Sequence, residues 1–433
     1  MLTCITMENF KSYHKAELPL AALTLLIGAN ASGKSNAIEA LRFLSLLAQG
    51  RRLDDIFRSV QREDVAVRGT MRDLTYDGAD TLTLGCSLSN TEPWTHFRIS
   101  LGVEESGMRI IEERIFGEHS TVPLYELKHP AQGFSHEVQV AYNNFARGGR
   151  KPTIPCTDQQ AIFTQLETTS RFNPGEARQV IPEVAGKLQQ ALQGTLFLDP
   201  NPSRMRMYSF ITDNILRDDG TNLSAVLYDL CEVNHQKERI LQFIRHLPEQ
   251  DIQDIRFLET PRREVMLQLV ETFAGREQER DAPVLSDGTL RVLSVAAALL
   301  SAAPGSLVVI EEIDNGVHPS RVGELLSNIQ EIAKTRELRV LLTSHNPALF
   351  DALPMEAVPD VVSCYRDPQK GDSRLQRFES LADYPELVTL GPLGQLMTKG
   401  TLERALKSQV TPEMRKASAR KWLENLKAEI ESG

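Results

Sequence analysis

Gly28-Ala29-Asn30-Ala31-Ser32-Gly33-Lys34-Ser35 is the stretch that decides the fold of this chain. It satisfies G-x-x-x-x-G-K-[ST] at every specified position. Glycines let backbone amides crowd around an anion, a lysine brings a point charge to the β- and γ-phosphates, and a serine hydroxyl can ligate Mg²⁺. The flanks agree with this reading. Leu23-Thr24-Leu25-Leu26-Ile27 is a short apolar run suited to a strand buried on both faces. Residues 37–47 read as a helix, with Ile38, Leu41, Leu44 and Leu47 three apart. The N-terminal amides of that helix face any bound anion.

Working outward, residues 2–7 predict a strand and 11–14 a turn. From 64 to about 115 the pattern alternates with period two, over 65–69, 82–88 and 95–101, which predicts an antiparallel sheet with one wet face. Residues 116–260 are less regular, with helical stretches at 183–193, 222–232 and 238–247. From about 262 strands and helices alternate again. The runs 307–310 and 339–343 enclose a helical 323–336, which predicts a parallel crossover unit. Residues 361–367 read as a late strand and 413–431 as a charged helix with a thin apolar side (Trp422, Leu423, Leu426, Ile430). No internal repeat or long heptad run is present. The expected fold is α/β, with mixed and parallel sheets and a mostly helical insertion. Its parts are an N-lobe with the phosphate loop (1–115), a partly helical insertion (116–260) and a C-lobe (261–433).

Composition narrows the function classes. The chain has 433 residues, 41% hydrophobic and 24% charged, an ordinary globular balance. Its net charge of −10 argues against binding nucleic acid over its whole surface, so any such contact needs a local basic patch. Five cysteines without a C-x-x-C pair argue against a zinc ribbon or a disulfide framework. The apolar run 18–27 is about half of what a membrane span needs, and the N-terminus lacks a secretory pattern. The expectation is a cytoplasmic protein with no membrane segment.

Three more motifs follow the phosphate loop. Leu285-Ser286-Asp287-Gly288-Thr289 precedes an apolar helix, where a serine acts as an N-cap. Val308-Val309-Ile310-Glu311-Glu312-Ile313-Asp314 ends an apolar strand in two carboxylates, at a place that Mg²⁺ and water can reach. Leu341-Leu342-Thr343-Ser344-His345-Asn346-Pro347 ends another strand in a histidine. Each motif alone has an ordinary structural explanation, but their order in one chain does not.

That order resembles the ABC-type ATPase superfamily, and more narrowly the soluble SMC/RecF-like and OLD-like branch of AAA/ABC-like ATPases. Asn9-Phe10-Lys11-Ser12 resembles the family's first strand, and Gly28 to Asn36 its G-x-N-x-x-G-K-S-N loop. Glu312-Ile313-Asp314-Asn315-Gly316-Val317-His318-Pro319 resembles its E-P-E-x-x-L-H-P continuation. The resemblance implies ATP and Mg²⁺ as cofactors and ATP hydrolysis as the reaction. By it, Asn30, Ala31, Ser32, Gly33, Lys34, Ser35 and Asn36 hold the phosphates, and Ser35 and Glu311 the metal. Glu312 is the catalytic base or water-orienting acid, and His345 the γ-phosphate switch. Ser286 and Gly288 form the signature that meets the γ-phosphate across a dimer interface. Two departures stand out: Glu311 replaces the commoner aspartate, and Ile313 replaces a proline. The Q-loop glutamine has no clear match, with Gln159 and Gln160 as candidates.

The resemblance further implies a homodimer or higher homo-oligomer closed by sandwiched ATP. The leading expectation is the sensor or scaffold subunit of an anti-phage or toxin-type system that controls a separately encoded effector such as a nuclease. The alternatives are a RecF/SMC-like repair ATPase that clamps DNA and a non-hydrolysing, ATP-dependent interaction module. A transport motor is disfavoured by the large insertion. The insertion is too short and irregular for a long coiled coil, and no room remains for a metal-binding nuclease domain after the ATPase.

Overall fold

The computed structural model describes residues 1–60, 67–104, 107–118, 120, 122–173, 175–244, 251–273, 275–317, 321–381, 391–402 and 404. Strands β1 (Leu2–Phe10), β2 (Tyr13–Pro19) and β3 (Leu23–Ile27) open the chain, followed by helices α1 (Lys34–Ala48) and α2 (Leu53–Val60). Six strands come next: β4 (Thr81–Leu88), β5 (His96–Glu104), β6 (Gly107–Phe116), β7 (Tyr125–Leu127), β8 (Glu137–Tyr142) and β9 (Thr153–Thr157). Together with β1 and β2 they form an eight-stranded antiparallel sheet in the order β2-β1-β4-β5-β6-β7-β8-β9.

Helix α3 (Ala177–Gln193) leads into β10 (Leu196–Leu198). Then follow β11 (Ser209–Phe210), α4 (Leu223–Tyr228), α5 (Lys237–Ile244), β12 (Ile252–Glu259), β13 (Glu264–Phe273) and β14 (Arg276–Asp281). The last part holds α6 (Asp287–Ser301), β15 (Leu307–Ile310), α7 (Val322–Thr335), β16 (Arg339–Ser344), α8 (Pro347–Asp351), β17 (Val362–Arg366) and β18 (Ser373–Arg377). A six-stranded sheet runs β10-β15-β16-β3-β17-β18, parallel except for its last pair. A small antiparallel sheet joins β11, β12 and β14 to β13.

The parallel sheet divides the core in two. Its inner strands β3, β15 and β16 are buried on both faces, as continuous apolar runs require. Because side chains alternate along a strand, Leu26, Val309 and Leu341 face α1, α3 and the antiparallel sheet. Leu25, Val308 and Leu342 face α4 to α7. Helix α6 is the centre of the second core. Ten of its residues from Leu290 to Leu300 are buried, with no polar stripe, which marks a helix enclosed on all sides. Emptying one such position, as in Leu293→Ala, costs about 2–5 kcal/mol.

The architecture is α/β with mixed and parallel sheets, as the motifs predict, and it differs locally. Only Lys11 and Ser12 turn the chain between β1 and β2, with Lys11 at φ 48°, so His14 already lies in β2. There the exposed His14, Lys15 and Glu17 mask the buried Tyr13, Ala16 and Leu18. Of the strand expected at 65–69, residues 65 and 66 lie outside the described residues, and 67–69 form no strand. The helix expected over 222–232 ends at Tyr228 and widens into a π turn over Asp229–Val233. Between 116 and 260 the chain adds β7 to β9 to the antiparallel sheet and β10 to the parallel sheet, besides its helices. The helix expected at 413–431, and His318 and Pro319, lie outside the described residues.

Candidate functional site

The loop after β3 is fixed by its own chain before any ligand is considered. A Cβ on Gly28 would lie 2.2 Å from the Cys364 carbonyl oxygen. Gly33 sits at φ 124°, and its Cβ would lie 2.4 Å from Ser373 Oγ. Only glycine fits at either place. Four groups from distant segments donate to or hold the loop. Tyr13 Oη donates to Gly33 O at 3.0 Å, Ser373 Oγ to Ser32 O at 2.6 Å, and Arg366 Nε to Ala31 O at 3.2 Å. Asn36 Nδ2 donates to Ser12 Oγ at 2.7 Å. Lys34 Nζ turns back on the loop and donates to Gly28 O at 2.5 Å and Ala29 O at 3.1 Å. Burial holds its ammonium below the usual lysine range, which favours an anionic ligand.

Strand order brings the other motifs to this loop. β15, β16 and β3 are parallel neighbours, so their C-terminal ends share one sheet edge, where open α/β sheets bind ligands. A pocket of about 420 Å³ there is walled by Asn30, Ala31, Gly33, Lys34, Ser35 and Asn36, with Glu311, Glu312 and His345 facing them. Glu312 has a left-handed backbone, φ 48°, which costs on the order of 1–3 kcal/mol for a residue with a side chain. Thr343 holds it there: Glu312 N–H donates to Thr343 Oγ1 at 3.1 Å, and Ile313 N–H to Thr343 O at 3.3 Å. Asn315 Nδ2 donates to the Glu312 carboxylate. His345 is exposed in the pocket wall.

Glu311 lies deeper. Arg42 Nη2 reaches its Oε1 at 3.3 Å while Nη1 pairs with Asp218, and the guanidinium stacks 4.4 Å from the centre of the Phe197 ring. Burial raises the Glu311 carboxyl above the usual range, and Arg42 opposes that rise. Partial burial, and next the nearby Glu312, likewise raise Asp199.

Ser286 and Gly288 stand apart from the other predicted residues. Ser286 is exposed and caps α6, accepting from Thr289 N–H at 3.1 Å. A Cβ on Gly288 would meet Gly316 O at 2.3 Å, so the loop after Glu312 packs against the glycine of the signature. Neither residue is in the wall of the phosphate-loop pocket of its own chain. Gln159 and Gln160 are elsewhere as well: they follow β9, the edge of the antiparallel sheet. Gln159 donates to Met108 O at 3.1 Å and Gln160 to Thr164 Oγ1 at 3.2 Å.

Motif reading missed several pocket residues. Glu39 is buried on α1 and pairs with Lys11, and Arg68 Nε reaches it at 2.8 Å. Lys11 and Arg68 thereby enter the pocket wall. Helical spacing was the available signal, because Glu39 and Arg42 lie four and seven residues after Ser35 on one face of α1.

The fold and the pocket define a phosphate-loop protein of the ATPase class. A family described as "AAA ATPase domain" matches residues 1–74. One described as "AAA domain, putative AbiEii toxin, Type IV TA system" matches residues 167–351. A RecF DNA replication and repair protein from Cutibacterium acnes is 34% identical over 110 residues, 23% of this chain and 28% of that protein. Two AAA ATPase family models thus match separate parts of the chain, and the local likeness to RecF supports the same SMC/RecF-like class. An ATP/GTP phosphatase from Helicobacter pylori is 20% identical over 363 residues, 82% of this chain and 87% of that protein. The SMC head domain from Thermotoga maritima superposes with a TM-score of 0.42 at 14% identity, over 87% of this chain and 98% of that one. No helix among the described residues is long and apolar enough to cross a membrane.

Proposed function

We propose that the chain hydrolyses ATP to ADP and phosphate as a homodimer with two composite sites, each pocket closed by the partner's signature. The observation that carries this is the separation of Ser286 and Gly288 from Lys34 within one chain, together with the exposure of Ser286. The loop amides and Lys34 bind the β- and γ-phosphates. Glu312, aimed by Thr343 and Asn315, orients the attacking water and takes up its proton. His345 reads the γ-phosphate, so hydrolysis removes the contact that joins the two copies.

The donor set fits Mg²⁺. Among the described residues no cluster of three or more acids, histidines or cysteines suits a metal by itself. Mg²⁺ in nucleotide sites keeps several waters and takes one or two protein oxygens besides the phosphates. Ser35 Oγ and the Glu311 carboxylate, in one pocket, supply those oxygens. When bound there, the ion neutralises charge on the phosphate oxygens.

At the level of the cell, we read the protein as the nucleotide-gated subunit of an anti-phage or toxin-type system acting on a separate effector. The type IV toxin–antitoxin wording of the family matched over 167–351 supports this. The local likeness to RecF supports a second reading, a DNA-clamping ATPase. Phosphate release tests the chemistry: the parent chain turns over ATP, and Lys34→Ala does not. Turnover by Lys34→Ala at the parent rate would refute the phosphate-loop assignment. Co-purification of a stoichiometric protein in ATP favours the first context, and stimulation of turnover by duplex DNA, falling with salt, the second.

A further inference from the structure

A cavity of about 360 Å³ opens between α5, α6 and α7, away from every sequence motif. Its floor is apolar: Phe243 and Leu300 are buried, and the half-buried Ile332 packs against the same core. Two arginines line it as well, Arg239 from α5 and Arg336 from the end of α7. Arg336 Nη2 donates to Ala302 O at 2.8 Å and closes the end of α6, while its Nε is buried with no hydrogen-bond partner. The Arg239 side chain is exposed and has neither a hydrogen bond nor an ion pair among the described residues. Glu331 stands exposed in the wall and pairs with neither arginine. Burial, and next the charge of Arg239, hold the Arg336 guanidinium below the usual arginine range. Two cations thus face one cavity with no carboxylate paired to either. Arg256 and Arg377, by contrast, each bridge two acids. The cavity shares no residue with the phosphate-loop pocket. Leu300 lies near the far end of α6, about 21 Å along the helix from the Ser286 cap at 1.5 Å per residue.

We propose that this cavity binds a small organic anion, its carboxylate or phosphate held by Arg239 and Arg336 and its apolar body resting on Phe243, Leu300 and Ile332. A guanidinium presents a fixed fork of donors that matches the oxygens of either group. Like charges brought together in a partly buried place repel, and an anion between them turns that repulsion into attraction. The volume and the lining, apolar with a few polar groups, are those of a small-molecule site. The inference is independent of the ATP reading, because no residue of that pocket takes part.

The test follows the fluorine NMR signals of 4-fluorophenylacetate and 4-fluorophenyl phosphate as each is titrated with the full-length chain. At least one is expected to bind, and the stronger of the two identifies the acidic group the site prefers. Neutral 4-fluorobenzyl alcohol should bind at least tenfold more weakly. Arg239→Gln removes an exposed, unpaired side chain, so the melting temperature should stay at the parent's while the affinity for the anion falls about tenfold. Arg239→Lys, which keeps the charge, should recover part of the loss. The Lys34→Ala chain should bind the anion as the parent does. Failure of the parent to bind either anion overturns the proposal, as does an Arg239→Gln chain with the parent's affinity. Equal binding of the neutral alcohol overturns the role of the charge. Binding lost in Lys34→Ala and kept in Arg239→Gln would put the anion in the phosphate-loop pocket, which also overturns it.

Discussion

The phosphate loop and the signature loop are built to different standards. The first is braced from four directions by Ser12, Tyr13, Arg366 and Ser373, and its two essential glycines touch other segments. The second hangs mainly on one side chain. Arg206 Nη2 donates to Leu285 O at 3.0 Å and Asp287 Oδ1 at 2.7 Å, and its Nη1 to Pro202 O at 2.8 Å. Val284, next to the signature, is 65% exposed, and Met207, beside Arg206, is 62% exposed. One loop is finished within the chain; the other presents its serine and apolar neighbours outward. This contrast is what a site shared between two copies requires.

The largest effect separates chemistry from assembly. Glu312→Gln keeps the geometry and loses the base, so phosphate release should fall by about 10²–10⁴-fold with nucleotide affinity retained. A stopped assay with labelled ATP checks both, and a fall below tenfold would move the base elsewhere. The bracing of the pocket comes next. Lys11→Met takes from Glu39, 5% exposed, its buried ion-pair partner and leaves it the exposed Arg68. The cost of removing one partner of a buried pair is about 3–5 kcal/mol, read as a lower midpoint in urea. A midpoint equal to the parent's would make Arg68 a sufficient partner.

Breaking the other side of the contrast is milder. Arg206→Ala should weaken ATP-dependent association about tenfold, the worth of one charge-assisted hydrogen bond, with nucleotide affinity of the separate chain unchanged. Equal weakening of both would place Arg206 in the pocket's own support.

The smallest effect lies far from either loop. Glu113 is fully buried, accepting from the N–H groups of Ile162 and Phe163 at 2.8 Å each and from Tyr125 Oη at 2.7 Å. Burial pushes its carboxyl from 4.5 up to about 7. The folded state therefore holds a proton that the unfolded state releases between these values. The stabilisation is complete below pH 4.5 and is lost as pH rises toward 7. Glu113→Gln should flatten that part of the melting-temperature profile; a profile parallel to the parent's would show Glu113 ionised throughout.

The sequence was most legible where chemistry forces residue types. The glycines and lysine of the loop, and the apolar runs of β3, β15 and β16, follow from burial on both faces and from phosphate geometry, and the structure puts their ends together. Pairing across long distances was not legible. That Leu198 faces Ile310, bringing Asp199 beside Glu311, depends on strand order rather than on any local pattern. The same holds for Lys11, Glu39 and Arg68, which look like ordinary surface charges until β1 and α1 pack together. Gln159 and Gln160 went the other way: suitable residue types on the far edge of the wrong sheet.

Sedimentation of Glu312→Gln with and without ATP tests the shared-site claim most directly. The account predicts a single-chain species without nucleotide, a species of twice that mass in saturating ATP, and a return to the single chain when Ser286→Arg is added. A Glu312→Gln chain that keeps the single-chain mass in saturating ATP, or a Ser286→Arg double variant that still doubles, would contradict it.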